Sequence, residues 1–113
     1  MGLLTTTIGA FPKPDYLKIP DWFSGPGGTQ TEDPTGRWEH AMNRLGAEAA
    51  PLIERATREV VEAQTSVGID IPTDGEVSRE NYIHYHCRHL EGIDFSRLTE
   101  TAARAGDFRT NVP

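Results

Sequence analysis

A chain of 113 residues supports one domain at most and falls well short of the roughly 250 residues of a closed α/β barrel. Its 17 acidic and 11 basic residues give a formal charge of -6, and the lysines and arginines are scattered, so the clustered positive footprint that nucleic acid requires is absent. The single cysteine permits no internal disulfide and no apolar run approaches the ~20 residues of a membrane span, so a cytoplasmic protein without a membrane partner is expected.

Leu3 to Ile8 is apolar and threonine-rich and stops at Gly9, Phe11 and Pro12, which predicts a short first strand and a turn. From Lys13 to Gly36, Pro14, Pro20, Pro26 and Pro34 alternate with Gly25, Gly27 and Gly28, too broken for a regular element. A loop of that length in a compact domain is functional or disordered, and Trp22 and Trp38 are expected to anchor it by packing. Asp33 before Pro34 reads as a cap followed by a first-turn proline, and Gly46 as a stop, which places a helix over Pro34 to Leu45. Leu52, Ile53, Ala56, Val60, Ala63 and Val67 then recur at three- and four-residue steps. Glu54, Arg55, Arg58, Glu59 and Glu62 fill the opposite face, which predicts an amphipathic helix ended by Gly68.

Ile69 and Ile71 alternate with Asp70, a second short strand that ends at Thr73-Asp74-Gly75-Glu76. A third, short helix is expected over Glu80 to Leu90, stopped near Gly92, and the remainder to Pro113 has no clear period. Strand, helix, strand is the start of a βαβ unit, with parallel strands and a right-handed crossover. Ligands of such folds collect at the carboxyl ends of the strands, here Ile8-Gly9-Ala10 and Asp74-Gly75-Glu76.

Two constellations compete for the chemistry. His84, His86, Cys87 and His89 resemble a metal cluster in composition, but on a helix His84 and Cys87 share one side and His86 and His89 another, two half-sites and no complete tetrahedral one. No base or orienting group can be named for Cys87 as a nucleophile. Glu76, a carboxylate at a strand's carboxyl end behind a glycine, suits an ammonium group or a polar ring, and its bland alternative is a capping or surface acid.

Two stretches carry a family resemblance. TTTIGAFP, Thr5 to Pro12, and GIDIPTDGEVSREN, Gly68 to Asn81, together resemble the start of the catalytic barrel of the cobalamin-independent methionine synthases. Those enzymes move a methyl group from methyltetrahydrofolate polyglutamate to homocysteine. The resemblance implies an α/β fold, the first βαβ portion of a partial (β/α)8 TIM barrel spanning 1–113 as a single partial domain of roughly a third of a barrel. It implies a zinc-dependent 5-methyltetrahydropteroyltriglutamate-homocysteine S-methyltransferase, with zinc as cofactor and methyltetrahydrofolate as methyl donor. By the same resemblance the backbone at Ile8, Gly9 and Ala10 holds the amino-acid end of homocysteine, Glu76 contacts its amino group, and Arg109, with Thr110 beside it, lies on the folate side.

Two departures qualify that picture. The family has serine where this chain has Ala10, which leaves a related alkyltransferase acting on another small thiol as an alternative. The family's zinc ligands, His, Cys, Glu and Cys on later strands, have no counterpart here, so the isolated chain is expected to supply substrate contacts without the metal and to be inactive alone. Arg79 matches a family arginine, with an ion pair to Glu76 or Glu80 equally open. Two strands cannot close a barrel, so the partner expected is a second copy or a complementing barrel fragment, and a non-catalytic oligomerising module is the third reading.

Overall fold

The structure, a computed structural model, describes residues 2–21, 33–103 and 108–112. Trp22 and the centre of the expected long loop lie outside the described residues. The chain divides into two compact units, Met1–Lys18 with Leu45–Ser78 and Ile19–Arg44 with Arg79–Pro113.

The first unit is organised on a long helix preceded by a single 3-10 turn, Gly46–Glu48. This helix, α2, runs Ala49–Ser66 and buries Ala49, Ala56, Val60 and Gln64. The expected apolar stripe is therefore correct to Val60, after which the buried position passes to Gln64, while Val67 is 77% exposed. Helix α2 ends where Gly68, at φ 86, takes the left-handed conformation that side chains with a Cβ resist, and its N–H donates to Thr65 O at 3.1 Å. Ile69 N–H then donates back to Gln64 O at 3.1 Å, which reverses the chain toward the N-terminal segment. Leu17, Ala49, Ala56, Val60 and Val77 make the apolar core of this unit.

The two expected strands reduce to one parallel bridge, Thr6 with Ile71, in which Ile71 N–H donates to Thr5 O at 3.0 Å. Side chains explain the short ladder. Thr5 N–H and Thr5 Oγ1 both donate to Asp70 Oδ2 at 2.8 Å, Asp70 N–H donates to Thr5 Oγ1 at 3.2 Å, and Thr6 Oγ1 donates to Ile71 O at 2.7 Å. Local hydroxyl and carboxylate groups thus take backbone donors that a longer ladder would use. Leu3, Leu4 and Ile8 stand 97%, 72% and 99% exposed.

Helix α1, which lies in the second unit up to Arg44, occupies Pro34–Leu45, the bounds expected from its cap, its proline and the stop at Gly46. Asp33 Oδ1 accepts from Gly36 N–H at 2.9 Å, which satisfies one of the orphan donors of the first turn, and Asp33 O accepts the first intrahelical bond from Arg37 N–H at 3.1 Å. Helix α3, Tyr82–Cys87, is shorter than the expected Glu80 to Leu90. Asn81 Oδ1 accepts from Ile83 N–H at 2.7 Å and His84 N–H at 3.3 Å, which sets the start after Glu80, and the far end tightens into i to i+3 turns at His89 and Leu90. Next come β1, Thr99–Ala103, and β2, Phe108–Val112, an antiparallel pair in the register Thr99 to Val112 and Thr101 to Thr110. Neither strand is among the elements expected from the sequence. Trp38 is half-buried under the Arg88 guanidinium, which lies 3.7 Å over its ring. No helix among the described residues is long and apolar enough to cross a membrane.

Candidate functional site

Ile8, Gly9, Ala10 and Glu76 all belong to the first unit, and the two strand ends that carry them are joined directly: Phe11 N–H donates to Gly75 O at 2.9 Å. The closeness depends on glycine. Gly75 sits at φ 62, and a Cβ there would lie 2.6 Å from Val60 Cγ1 and 3.1 Å from Phe11 Cβ. One backbone atom thus packs against α2 on one side and the first strand's exit on the other.

Beyond Gly75 the chain makes a second left-handed residue, Glu76 at φ 54. A non-glycine residue in that region is uncommon and costs local strain. Asp74 holds it: Asp74 Oδ1 accepts from Glu76 N–H at 3.0 Å, and Asp74 O accepts from Val77 N–H at 3.4 Å. Val77, 0% exposed, anchors the far side of the turn in the core. The consequence is that Glu76 is half-buried with its backbone direction set by its neighbours. Ala10 is likewise half-buried, whereas the Ile8 side chain is almost fully exposed.

Arg109 and Thr110 are placed, by backbone alone, in β2 of the second unit, opposite Ala102 and Thr101. The residues that sequence reasoning missed are Gln64, Thr7 and Thr73. The Gln64 carboxamide, 2% exposed, reaches both strand ends. A usable signal existed: Gln64 stands four residues after Val60 and eight after Ala56, on the buried stripe of α2.

Further down this unit, Asp70 receives the Thr5 backbone N–H and then the Thr5 hydroxyl, and these bonds hold its carboxyl below the ordinary carboxylate range. On α2, Glu59 accepts from the Tyr16 hydroxyl at 2.7 Å and from Arg55 Nε at 2.9 Å, with Arg55 stacked 4.1 Å over the Tyr16 ring.

The histidine-rich helix is a different environment. His84 is 8% exposed, and burial pushes its pKa down from the ordinary 6.5 against the pull of Glu80 and Asp33. Its ring lies 6.5 Å from Phe95, while His86 and His89 each lie 5.1 Å from the Tyr85 ring. Cys87 is a half-buried free thiol. Among the described residues no three His, Cys, Asp or Glu side chains are grouped so as to hold a metal, so these residues do not fit a zinc ion. Glu80 pairs with Arg88, Nε to Oε1 at 3.0 Å, a partner eight residues along that the sequence reading did not name. Arg79 places its guanidinium 4.9 Å over the Tyr85 ring.

Comparison with known proteins fits this arrangement into a larger one. A 5-methyltetrahydropteroyltriglutamate-homocysteine methyltransferase of Shewanella oneidensis is 27% identical over 95 residues, covering 84% of this chain and 10% of its own length. A methionine synthase of Sulfolobus acidocaldarius is 31% identical over 93 residues, 82% of this chain and 23% of its own. The solved structure of a B12-independent methionine synthase from Shewanella sp. W3-18-1, in complex with selenomethionine, superposes with a TM-score of 0.64 at 29% identity, over 95% of this chain and 27% of that one. This chain therefore spans about a quarter or less of the length of these relatives. The family described as the catalytic domain of cobalamin-independent synthase matches residues 24–109, and the chain belongs to that family.

Proposed function

We propose that this chain is the opening portion of a (β/α)8 TIM barrel, one partial domain, of a cytoplasmic 5-methyltetrahydropteroyltriglutamate-homocysteine S-methyltransferase, and that its joined strand ends receive the amino-acid end of homocysteine. The observation that carries the reading is the 2.9 Å bond from Phe11 N–H to Gly75 O, which ties together the two backbone segments that carry Gly9-Ala10 and Glu76. A relative at 29% identity binds selenomethionine, a methylated amino acid of the product's shape, which supports an amino-acid ligand for this fold.

In this reading Glu76 accepts from the substrate ammonium, a charge-assisted bond, and the turn that holds its backbone left-handed sets the direction in which its side chain leaves the backbone. The reaction itself is a methyl transfer: the homocysteine sulfur attacks the methyl carbon, the S–C bond forms as the N–C bond breaks, and the electron pair stays on the pterin nitrogen, which takes up a proton. Arg109 and Thr110 are proposed on the folate side. The zinc of this chemistry is assigned to residues outside this chain, because the described residues offer no fit for it. Ala10, which lacks the family's hydroxyl, favours a second reading in which the acceptor is another small thiol.

Calorimetric titration of the full chain with L-homocysteine, against Glu76→Gln, tests the site. Loss of a charged hydrogen bond of about 1.5–3 kcal/mol predicts roughly 10- to 100-fold weaker binding. Equal affinity of the two proteins would remove Glu76 from the site. The exposed Leu3, Leu4 and Ile8 beside a single bridge further support a second copy or a complementing barrel fragment as partner. Light scattering that returns a monodisperse monomer would exclude self-assembly.

A further inference from the structure

The parallel pairing of the two strand ends consists of one bridge, yet both ends are held in register several residues past it. Something other than a ladder must do this, and the polar atoms buried beneath the site identify it. Gln64 Oε1 accepts from Thr7 Oγ1 at 2.6 Å and from Thr73 N–H at 2.9 Å. Gln64 Nε2 donates to Thr73 O at 2.8 Å and to Val60 O at 3.0 Å. All four hydrogen-bonding positions of the carboxamide are used, and its orientation is dictated because Thr73 offers both a donor and an acceptor to it. The side chain meets Thr73 as the peptide group of a neighbouring strand would.

The hydroxyls extend this contact in a defined direction. Thr7 Oγ1 donates to Gln64, so across the 3.1 Å separation from Thr73 Oγ1 it must accept, and the Thr73 hydroxyl donates to it. Thr73 Oγ1 in turn accepts from Gly75 N–H at 3.3 Å. A chain of donors thus runs from Gly75 through Thr73 and Thr7 to Gln64, and Gly75 is the residue whose carbonyl receives Phe11 N–H. With Gln64 2% exposed, these bonds are sheltered from competing water.

We propose that Gln64 is the positioning residue of the strand-end site, its buried carboxamide setting the register of the Thr7 and Thr73 segments and through them the separation of Gly9-Ala10 from Glu76. The functional half of the proposal rests on the reading of that site as the amino-acid pocket. The structural half stands on the hydrogen bonds alone.

A residue that merely stabilised the fold would weaken all of the first unit together, whereas a positioning residue loosens the strand ends first. The test is amide hydrogen exchange by NMR on the full chain, comparing wild type with Gln64→Leu, which keeps the bulk and removes all four bonds. Exchange of the Phe11 amide is expected to accelerate at least about tenfold more than that of Ala56 in the middle of α2, under conditions where the variant is folded. Equal acceleration at both positions, or none at Phe11, would overturn the proposal. If Gln64→Leu does not fold, Thr7→Val removes the two hydroxyl bonds to Gln64 and Thr73 while leaving the other three bonds of Gln64, and reads the same ratio at smaller amplitude.

Homocysteine titration of the same proteins separates the two claims. If wild type binds and the loosened variant binds at least about tenfold more weakly, positioning for the ligand is supported. If the loosened variant binds equally well, the functional half is wrong while the pocket stands. If wild type does not bind, the pocket reading falls, and the exchange ratio still decides whether Gln64 holds the strand ends.

Discussion

Replacing Gly75 with alanine adds a single methyl group where a Cβ would crowd both Val60 and Phe11. Two costs can be worked from the geometry. The residue sits at φ 62, where a Cβ meets the following carbonyl oxygen at a cost of roughly 1–2 kcal/mol. The new carbon would also stand 2.6 Å from Val60 Cγ1, against an ordinary carbon contact of about 3.5–4 Å, so one side must move by about 1 Å. Retreat is obstructed on both sides: Val60 lies on α2 one turn before Gln64, whose carboxamide is fully bonded, and Phe11 Cβ waits at 3.1 Å. Overpacking of this kind costs roughly 1–3 kcal/mol. The sum, roughly 2–5 kcal/mol, is a large part of the 5–15 kcal/mol that typically holds a domain, and corresponds to a melting point lower by about 10–20 °C. Urea unfolding followed by circular dichroism measures it. Gly68→Ala is the control, because Gly68 is also left-handed, at φ 86, but has nothing within 4 Å of its virtual Cβ. That variant should show the conformational cost alone, about 1–2 kcal/mol. Equal losses in the two variants would refute the claim that crowding against Val60 and Phe11 defines the strand-end geometry.

Arg88→Met should destabilise the chain by roughly 3–5 kcal/mol, because the Glu80 side chain is 0% exposed and its Oε1 would lose the Arg88 Nε at 3.0 Å. Chemical denaturation of Arg88→Met against the double variant with Glu80→Gln decides the point: the double variant should recover part of the loss, and a double variant less stable than the single would contradict it. Asp70 supplies a pH dependence of definite sign. Its carboxyl is held below the ordinary 3.8 in the folded chain, so its contribution is present above that value and disappears as pH falls through the lower folded value. Urea midpoints of wild type and Asp70→Asn should therefore differ most near neutral pH and converge in acid, and a constant difference across the series would show that the Thr5 bonds do not depend on the charge.

Which parts of this fold were legible depends on where the information resides. The start of α1 follows from Asp33 and Pro34, a cap and a first-turn proline, and its end from Gly46, left-handed at φ 55, so local chemistry suffices. Helix α2 was legible as a helix, but its buried face turns at the end from apolar letters to Gln64, and a pattern that counts apolar residues passes over a polar one whose every hydrogen bond is satisfied. In the hairpin, β1 reads TETAA and has no alternating apolar face to announce it, while the alternation of β2, FRTNV, spans only five residues. The left-handed Glu76 follows from an aspartate two residues earlier, an Asx turn that is local and so readable in principle from Asp74. These misses are related. The strand segments are rich in threonine and aspartate, whose side chains compete for backbone donors, so pairing between them shrinks to one bridge. A site built on such short pairing needs another source of register, and the only groups that can supply it from a helix without breaking the core are polar atoms buried with all their partners. The loss of ladder that the strand sequence causes and the amide that α2 places beneath it are thus two sides of one physical requirement, which is why the polar residue in the apolar stripe and the incomplete strands occur together.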